Sequence, residues 1–285
     1  MADDAKPKRT SPRTRLDLAT IAGLVIAVAG ILGGLILEGG KMSDVVQINA
    51  AVIVLGGTLG AVMVTCPIAW LLSAVKGLKD VFVEQLHPPE PVIEELIGYA
   101  TKARKDSIVS LEDDLARASN PFLRKALSLA VDGTELQELR KMMELEMIQS
   151  EHHREGAAKV FEAAGGYSPT VGIIGAVLGL IQVMKHLENI DEVGRGIAVA
   201  FVATVYGVAA ANLVFLPAAN KLKARMKEAE RDRELLLEGV CSIVEGMNPK
   251  LIRVKLEAFV SQSAAAGKKV AAQSAETAQA ASVSG

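Results

Sequence analysis

Four stretches of the chain, residues 18–37, 45–75, 163–184 and 196–220, contain no Asp, Glu, Lys, Arg or His. A bilayer core is crossed by ~20 apolar residues of helix, and each stretch reaches that length. Lipid offers no partner to an open sheet edge, so these blocks are helices. The connectors 38–44 and 185–195 are short and make each neighbouring pair a hairpin. The sequence therefore predicts an all-α membrane protein with four transmembrane helices. Its apolar content, 50% of 285 residues with only 4% aromatic, sits in these Val-, Ile-, Leu-, Ala- and Gly-rich blocks, as in membrane chains.

Basic residues near the span ends set the orientation. The start of the chain carries Lys6, Lys8, Arg9, Arg13 and Arg15; Lys76 and Lys79 follow the second block; Lys221, Lys223, Arg225 and Lys227 follow the fourth. The connectors hold few, Lys41 in one and Lys185 and Arg195 in the other. Both termini and the segment 76–162 are predicted to be cytoplasmic. The first block is not read as a cleaved signal peptide, because it is too long and runs into Glu38-Gly39-Gly40 without a small-residue cleavage site.

The predicted organisation is a basic tail (1–17), a transmembrane hairpin (18–75), a helical cytoplasmic domain between spans two and three (76–162), a second hairpin (163–220), a C-terminal cytoplasmic helix (221–259) and a disordered tail (260–285). The cytoplasmic domain follows His87-Pro88-Pro89, shows helical spacing at Leu136, Leu139, Met143 and Met147, and lacks strand-like alternation. Asn120-Pro121 and Asp132-Gly133-Thr134 read as turns or caps, and Gly246-Met247-Asn248-Pro249 as a break. The tail, rich in Ala, Ser, Gln and Gly, has too little apolar surface to order itself. G-x-x-x-G pairs at Gly30/Gly34, Gly56/Gly60 and Gly175/Gly179, with Ala200, Ala203, Gly207 and Ala211 on the fourth span, are candidates for close helix approach.

Several functions are excluded or disfavoured. With 31 basic and 33 acidic residues, nothing points to nucleic acid. No phosphate-cradling loop, H-E-x-x-H or nucleophile elbow is present, so no enzyme, metal or cofactor is expected. Adjacent His152 and His153 point in different directions on a helix and suit a solvated pair better than a metal site. Cys66 and Cys241 read as small buried hydrophobes. No span carries an internal charge, so any ion that crosses must find its titrating group on another chain.

Separated motifs carry a resemblance. The third span contains Tyr167-Ser168-Pro169-Thr170-Val171-Gly172, continuing to Gly175, Ala176 and Gly179; the fourth contains Ala203-Thr204-Val205-Tyr206-Gly207 and closes with Pro217. Between the hairpins lie Ala103 to Glu112 and Asn120-Pro121-Phe122, and Glu245-Gly246-Met247-Asn248-Pro249 follows near the end. Together, over residues 16 to 259, these resemble the MotA/PomA family, channel-forming subunits of the bacterial flagellar stator.

The resemblance implies a multi-pass inner-membrane protein forming a ring of five around two copies of a MotB/PomB-type partner. That partner supplies the ion-accepting Asp and a peptidoglycan anchor, while the cytoplasmic domain pushes on the rotor protein FliG. Arg104 and Glu112 match the charged pair that faces the rotor; on one helix they would lie ~12 Å apart. The family often has Gly where this chain has Ser107. Pro169 and Pro217 match the prolines bracketing the channel helices, and Thr204 the channel-facing threonine. Ala176 stands where sodium-driven members carry Thr, and a methyl offers no oxygen to a hard cation, so a proton is the expected ion. The alternatives are a TolQ/ExbB-type energising subunit, disfavoured by four spans and the basic start, and a non-conducting membrane scaffold.

Overall fold

The computed structural model describes residues 13–86 and 88–260; residues 261–285 of the predicted disordered tail and most of the basic start lie outside them, while residue 260 is helical. The first span is helix α1, Leu18–Leu37, capped by the Asp17 side chain, which accepts from the Thr20 amide at 3.1 Å. None of its residues is buried within the subunit. The second span is α2, Met42–Thr65, which steps irregularly at Val46–Gln47 and contains a π-helical stretch, Val52–Gly56. It ends earlier than the apolar block suggests. Pro67 forces Cys66 out of the helical region, to φ −107° and ψ 138°, so the block 45–75 is two helices rather than one. The second, α3, is Ile68–Phe82.

A short sheet then appears where the sequence shows no alternation. Strand β1, Arg13–Leu16, pairs with β2, Val83–Leu86, and the Asp17 amide extends the ladder by donating to the Phe82 carbonyl at 2.8 Å. Helix α4, Pro89–Asp106, leads into a 3-10 segment, Ile108–Arg117, and α5, Pro121–Val131, follows. Pro121 at the first helical position and the Asn120 side chain, accepting from the Phe122 amide at 2.8 Å, start α5. The third span lies within α6, Leu136–Lys185, and the fourth within α7, Ile190–Val244, which is π-helical over Ala210–Phe215. Residues 249–260 form a last helix, α8, after Gly246 turns the chain at φ +71°. By length and apolarity, α1, α2, α6 and α7 are the four helices among the described residues able to cross a bilayer.

The chain divides into two compact units, residues 14–85 with 151–226, and residues 86–150 with 227–260 among those described. The first holds the spans. The second has a conventional helical core, in which Leu96, Leu111, Leu123, Leu127, Leu139, Met143, Leu236, Val240, Ile252 and Leu256 are fully buried. Its three-helix junction is tied by charge: Glu238 accepts from Arg140 at 3.0 Å and pairs with Lys255. Burial alone would raise the Glu238 carboxyl, but the hydrogen bonds from Lys255 and Arg140 outweigh it and hold the group below the usual carboxylate range. In the membrane unit, Asp17 is buried beneath Lys221 and Arg225, the latter at 3.0 Å, and Arg225 also reaches Glu84 at 2.9 Å. The Lys221 hydrogen bond lowers the Asp17 carboxyl more than burial raises it.

Candidate functional site

Glycine decides how the third and fourth spans meet. A Cβ placed on Gly172 would stand 2.9 Å from the Ala203 carbonyl oxygen; on Gly207, 2.6 Å from that of Ser168; on Gly179, 2.8 Å from that of Gly196. Each is closer than a real Cβ approaches, so the two backbones touch along most of the hairpin. Gly175 would meet Ala203 at 2.8 Å and Ile53 at 3.3 Å, so the third span is pressed by the second as well. Gly30, Gly34, Gly56 and Gly60 meet nothing within 4 Å in the subunit. Of the predicted small-residue pairs, the Gly175/Gly179 stripe is therefore the one that packs internally.

Pro169, Ala176 and Thr204 are all half-buried on this hairpin, and Pro217 is exposed on α7. Thr204 Cα comes within 3.5 Å of a Cβ on Gly172, which puts the threonine beside the third span. Its hydroxyl donates to the Ala200 carbonyl of its own helix at 3.2 Å. That bond uses the donor and leaves the oxygen able to accept. Leu216 packs where a Cβ on Gly165 would stand, at 2.5 Å, so the two prolines lie toward the same end of the hairpin. Pro169 also has no N–H to give the carbonyl one turn back.

Four polar groups here escaped the sequence reading. Tyr206 donates to the Val45 carbonyl at 2.6 Å and accepts from the Gln47 amide at 3.2 Å, satisfying the irregular step of α2 from the fourth span. The hydroxyls of Thr58 and Ser168 are buried, 2% and 0% exposed, with no hydrogen-bond partner among the described residues. Asn212 is exposed on the π stretch of α7, where its amide donates to the Val208 carbonyl at 2.9 Å. Leaving a buried hydroxyl or amide unpaired costs on the order of 1–3 kcal/mol in proteins. A screen for ionisable residues passes over all of them; an amide inside an apolar block was the readable signal for Asn212.

In the other unit, Arg104 and Glu112 do not share a helix, which corrects the one-helix placement. Ser107 sits at φ 77° and ψ 157° and ends α4, so Arg104 lies in the last turn of α4 and Glu112 on the 3-10 segment. Non-glycine residues rarely hold that conformation, which accords with the glycine that the resemblance leads one to expect at this position. Lys102 and Asp114, 2.6 Å apart, fasten the two pieces together. Arg104 and Glu112 are both exposed and form no ion pair with described residues. Arg104 also borders a cleft of about 410 Å³ with an apolar floor of Ala100, Ala130 and Ile243. His152 is exposed beside Glu155 at 3.9 Å, a solvated arrangement, and no cluster of three metal-ligating side chains occurs among the described residues.

Comparison with known proteins brings the two units under one description. The family described as the MotA/TolQ/ExbB proton channel family matches residues 115–235, and that described as Motility protein A N-terminal matches residues 21–103. Motility protein A of Helicobacter pylori (strain ATCC 700392 / 26695) is 36% identical over 246 residues, covering 86% of this chain and 96% of the relative. Chemotaxis protein PomA of Vibrio alginolyticus is 30% identical over 87% of this chain and 96% of its own. Among solved structures, C. jejuni MotAB aligns with a TM-score of 0.80 and 35% identity over 86% of this chain and 96% of that one. The flagellar MotAB stator complex from Bacillus subtilis aligns with a TM-score of 0.77 and 33% identity over 85% and 95%.

Proposed function

The chain belongs to the MotA/PomA family within the MotA/TolQ/ExbB proton channels, and on that premise we propose how it works as the channel subunit of a flagellar stator. It is a multi-pass protein of the inner membrane that assembles as an oligomer with a MotB-type partner. The match to the Motility protein A N-terminal family favours the stator over a TolQ/ExbB-type energiser. The observation that carries the mechanism is the glycine-packed hairpin. Spans three and four touch backbone to backbone, leaving no room for an ion between them, so the passage runs along their outer face, against the partner.

In this reading five subunits surround two partner chains, and the partner's Asp takes up the ion beside Thr204 and Ala176. The accepting oxygen of Thr204 steadies the ion-bearing group, while Pro169 and Pro217 supply free carbonyls and bending points at one end of the passage. Ala176 presents a methyl where a sodium ion would need an oxygen, so the ion is a proton. Arg104 and Glu112, both unpaired and exposed, face the rotor protein FliG from the cytoplasmic side. Exposed charges of this kind guide encounter and register more than they hold a fold together. The chain itself performs no covalent chemistry.

The test is motility. Deleting the gene should leave cells with intact filaments that do not swim, and the native gene should restore them. Restored swimming should be independent of sodium at fixed pH and should stop with a protonophore. Rotation that tracks sodium and survives the protonophore overturns the proton assignment; a normally swimming deletion strain overturns the stator reading.

A further inference from the structure

The fourth span carries one polar feature that neither helix packing nor capping explains. Asn212 is exposed on the π stretch Ala210–Phe215, flanked by Val208 and Val214, themselves 45% and 47% exposed. Its bond to the Val208 carbonyl uses one N–H. The second N–H and the side-chain oxygen have no partner among the described residues. Hydrocarbon can satisfy neither, so this face does not look onto lipid.

Register says what it does look onto. Thr204, Val208 and Asn212 follow one another in four-residue steps, each drifting ~40° on a regular α-helix. The wider π turn takes back part of that drift and returns Asn212 toward the face of Thr204, ~12 Å further along the axis. The position falls between Gly207 and Leu216, which pack on Ser168 and Gly165. It therefore belongs to the end of the hairpin that carries Pro169 and Pro217. π turns concentrate at functional sites, where the widened backbone re-aims a side chain.

We infer that Asn212 is a residue of the ion path, whose amide holds the water that relays the proton between the level of Thr204 and the Pro217 end of the span. This rests on the reading that the fourth span faces the partner's acidic helix. A carboxamide both donates and accepts, so it can orient a water for transfer in either direction while carrying no charge itself. In the relay, one O–H bond of that water forms as another breaks, and the amide ends unchanged. Because the group does not titrate, it cannot trap the proton in the low-dielectric span.

The experiment compares Asn212→Leu, Asn212→Ser and Asn212→Asp in a strain lacking the native gene, with the native partner present. Asn212→Leu keeps shape and removes hydrogen bonding; single-motor speed at low load should fall about fivefold or more, with normal membrane level and normal co-purification of the partner. Asn212→Ser should keep most of the speed. Asn212→Asp should make speed depend on cytoplasmic pH, a response that a purely structural residue would not confer. Native speed in Asn212→Leu overturns the inference. So does speed lost together with co-purification, which would make Asn212 a packing contact. A paralysed deletion strain beside a normally swimming Asn212→Leu strain removes this inference alone, whereas a swimming deletion strain removes the stator function with it.

Discussion

Ser107 concentrates the residue-scale physics of the unit that carries Arg104 and Glu112. Its backbone lies in a region that is essentially glycine's, and non-glycine residues held there cost of order 1–3 kcal/mol. It persists because both sides are pinned: Lys102 holds Asp114 across the turn, and Ser110 donates its hydroxyl to the Ser107 carbonyl at 2.7 Å. Ser107→Gly should therefore stabilise the protein by about 1 kcal/mol and raise its thermal midpoint, while Ser107→Val should lower it. Differential scanning of the detergent-solubilised complex reads both, and an unchanged midpoint in Ser107→Gly would mean the turn is not strained. The sequence contained half of this. The family resemblance pointed to glycine at the position, but the ~12 Å spacing of Arg104 and Glu112 was reckoned on a single helix. A single positive φ is invisible to periodicity. Asn212 was missed for a different reason: the spans were defined by absent charge, and an uncharged amide passes that filter.

At the scale of elements, the third and fourth spans are specified by what their glycines lack. Gly172→Leu and Gly207→Leu should each separate the two backbones and lower the amount of protein in the membrane severalfold, because the added atoms meet main chain that cannot rotate away. Gly30→Ala and Gly34→Ala should leave the level unchanged, since a Cβ at either meets nothing within 4 Å in the subunit. Quantitative immunoblotting of membranes separates the two classes, and a loss at Gly30 or Gly34 would place an assembly contact on α1. α1 itself was legible to the residue, because twenty apolar positions between Asp17 and Glu38 leave no other reading. The second span was less so. A hydropathy block ignores the dihedral demand of Pro67, which ends the helix although no charge interrupts the apolar run. The ladder of β1 and β2 was illegible, since four residues such as Val83-Glu84-Gln85-Leu86 carry no alternation and find their partner about 70 positions away.

For the molecule as a whole, the prediction concerns sidedness. The basic residues after the second and fourth spans predict that both connectors lie outside, so cysteines at Gly39 and Asn189 should react with an impermeant thiol reagent in intact cells. A cysteine at Asp113 should react only after permeabilisation. Labelling of the Asp113 position in intact cells would invert the arrangement and remove the proposed contact with a cytoplasmic rotor.

The clasp of Asp17 with Lys221 and Arg225 also sets a timetable for how the protein is made. Asp17 and Arg225 are 208 positions apart, one before the first span and the other beyond the last. At bacterial elongation rates of 5–20 residues per second, the acid emerges roughly 10–40 s before its partners. During that interval it can do no more than cap its own helix. Only a chain translated through its fourth span can neutralise it, so the clasp closes only once all four spans have been made. A nascent chain stalled after its third span keeps that carboxylate at the membrane edge without Lys221 and Arg225 to pair with.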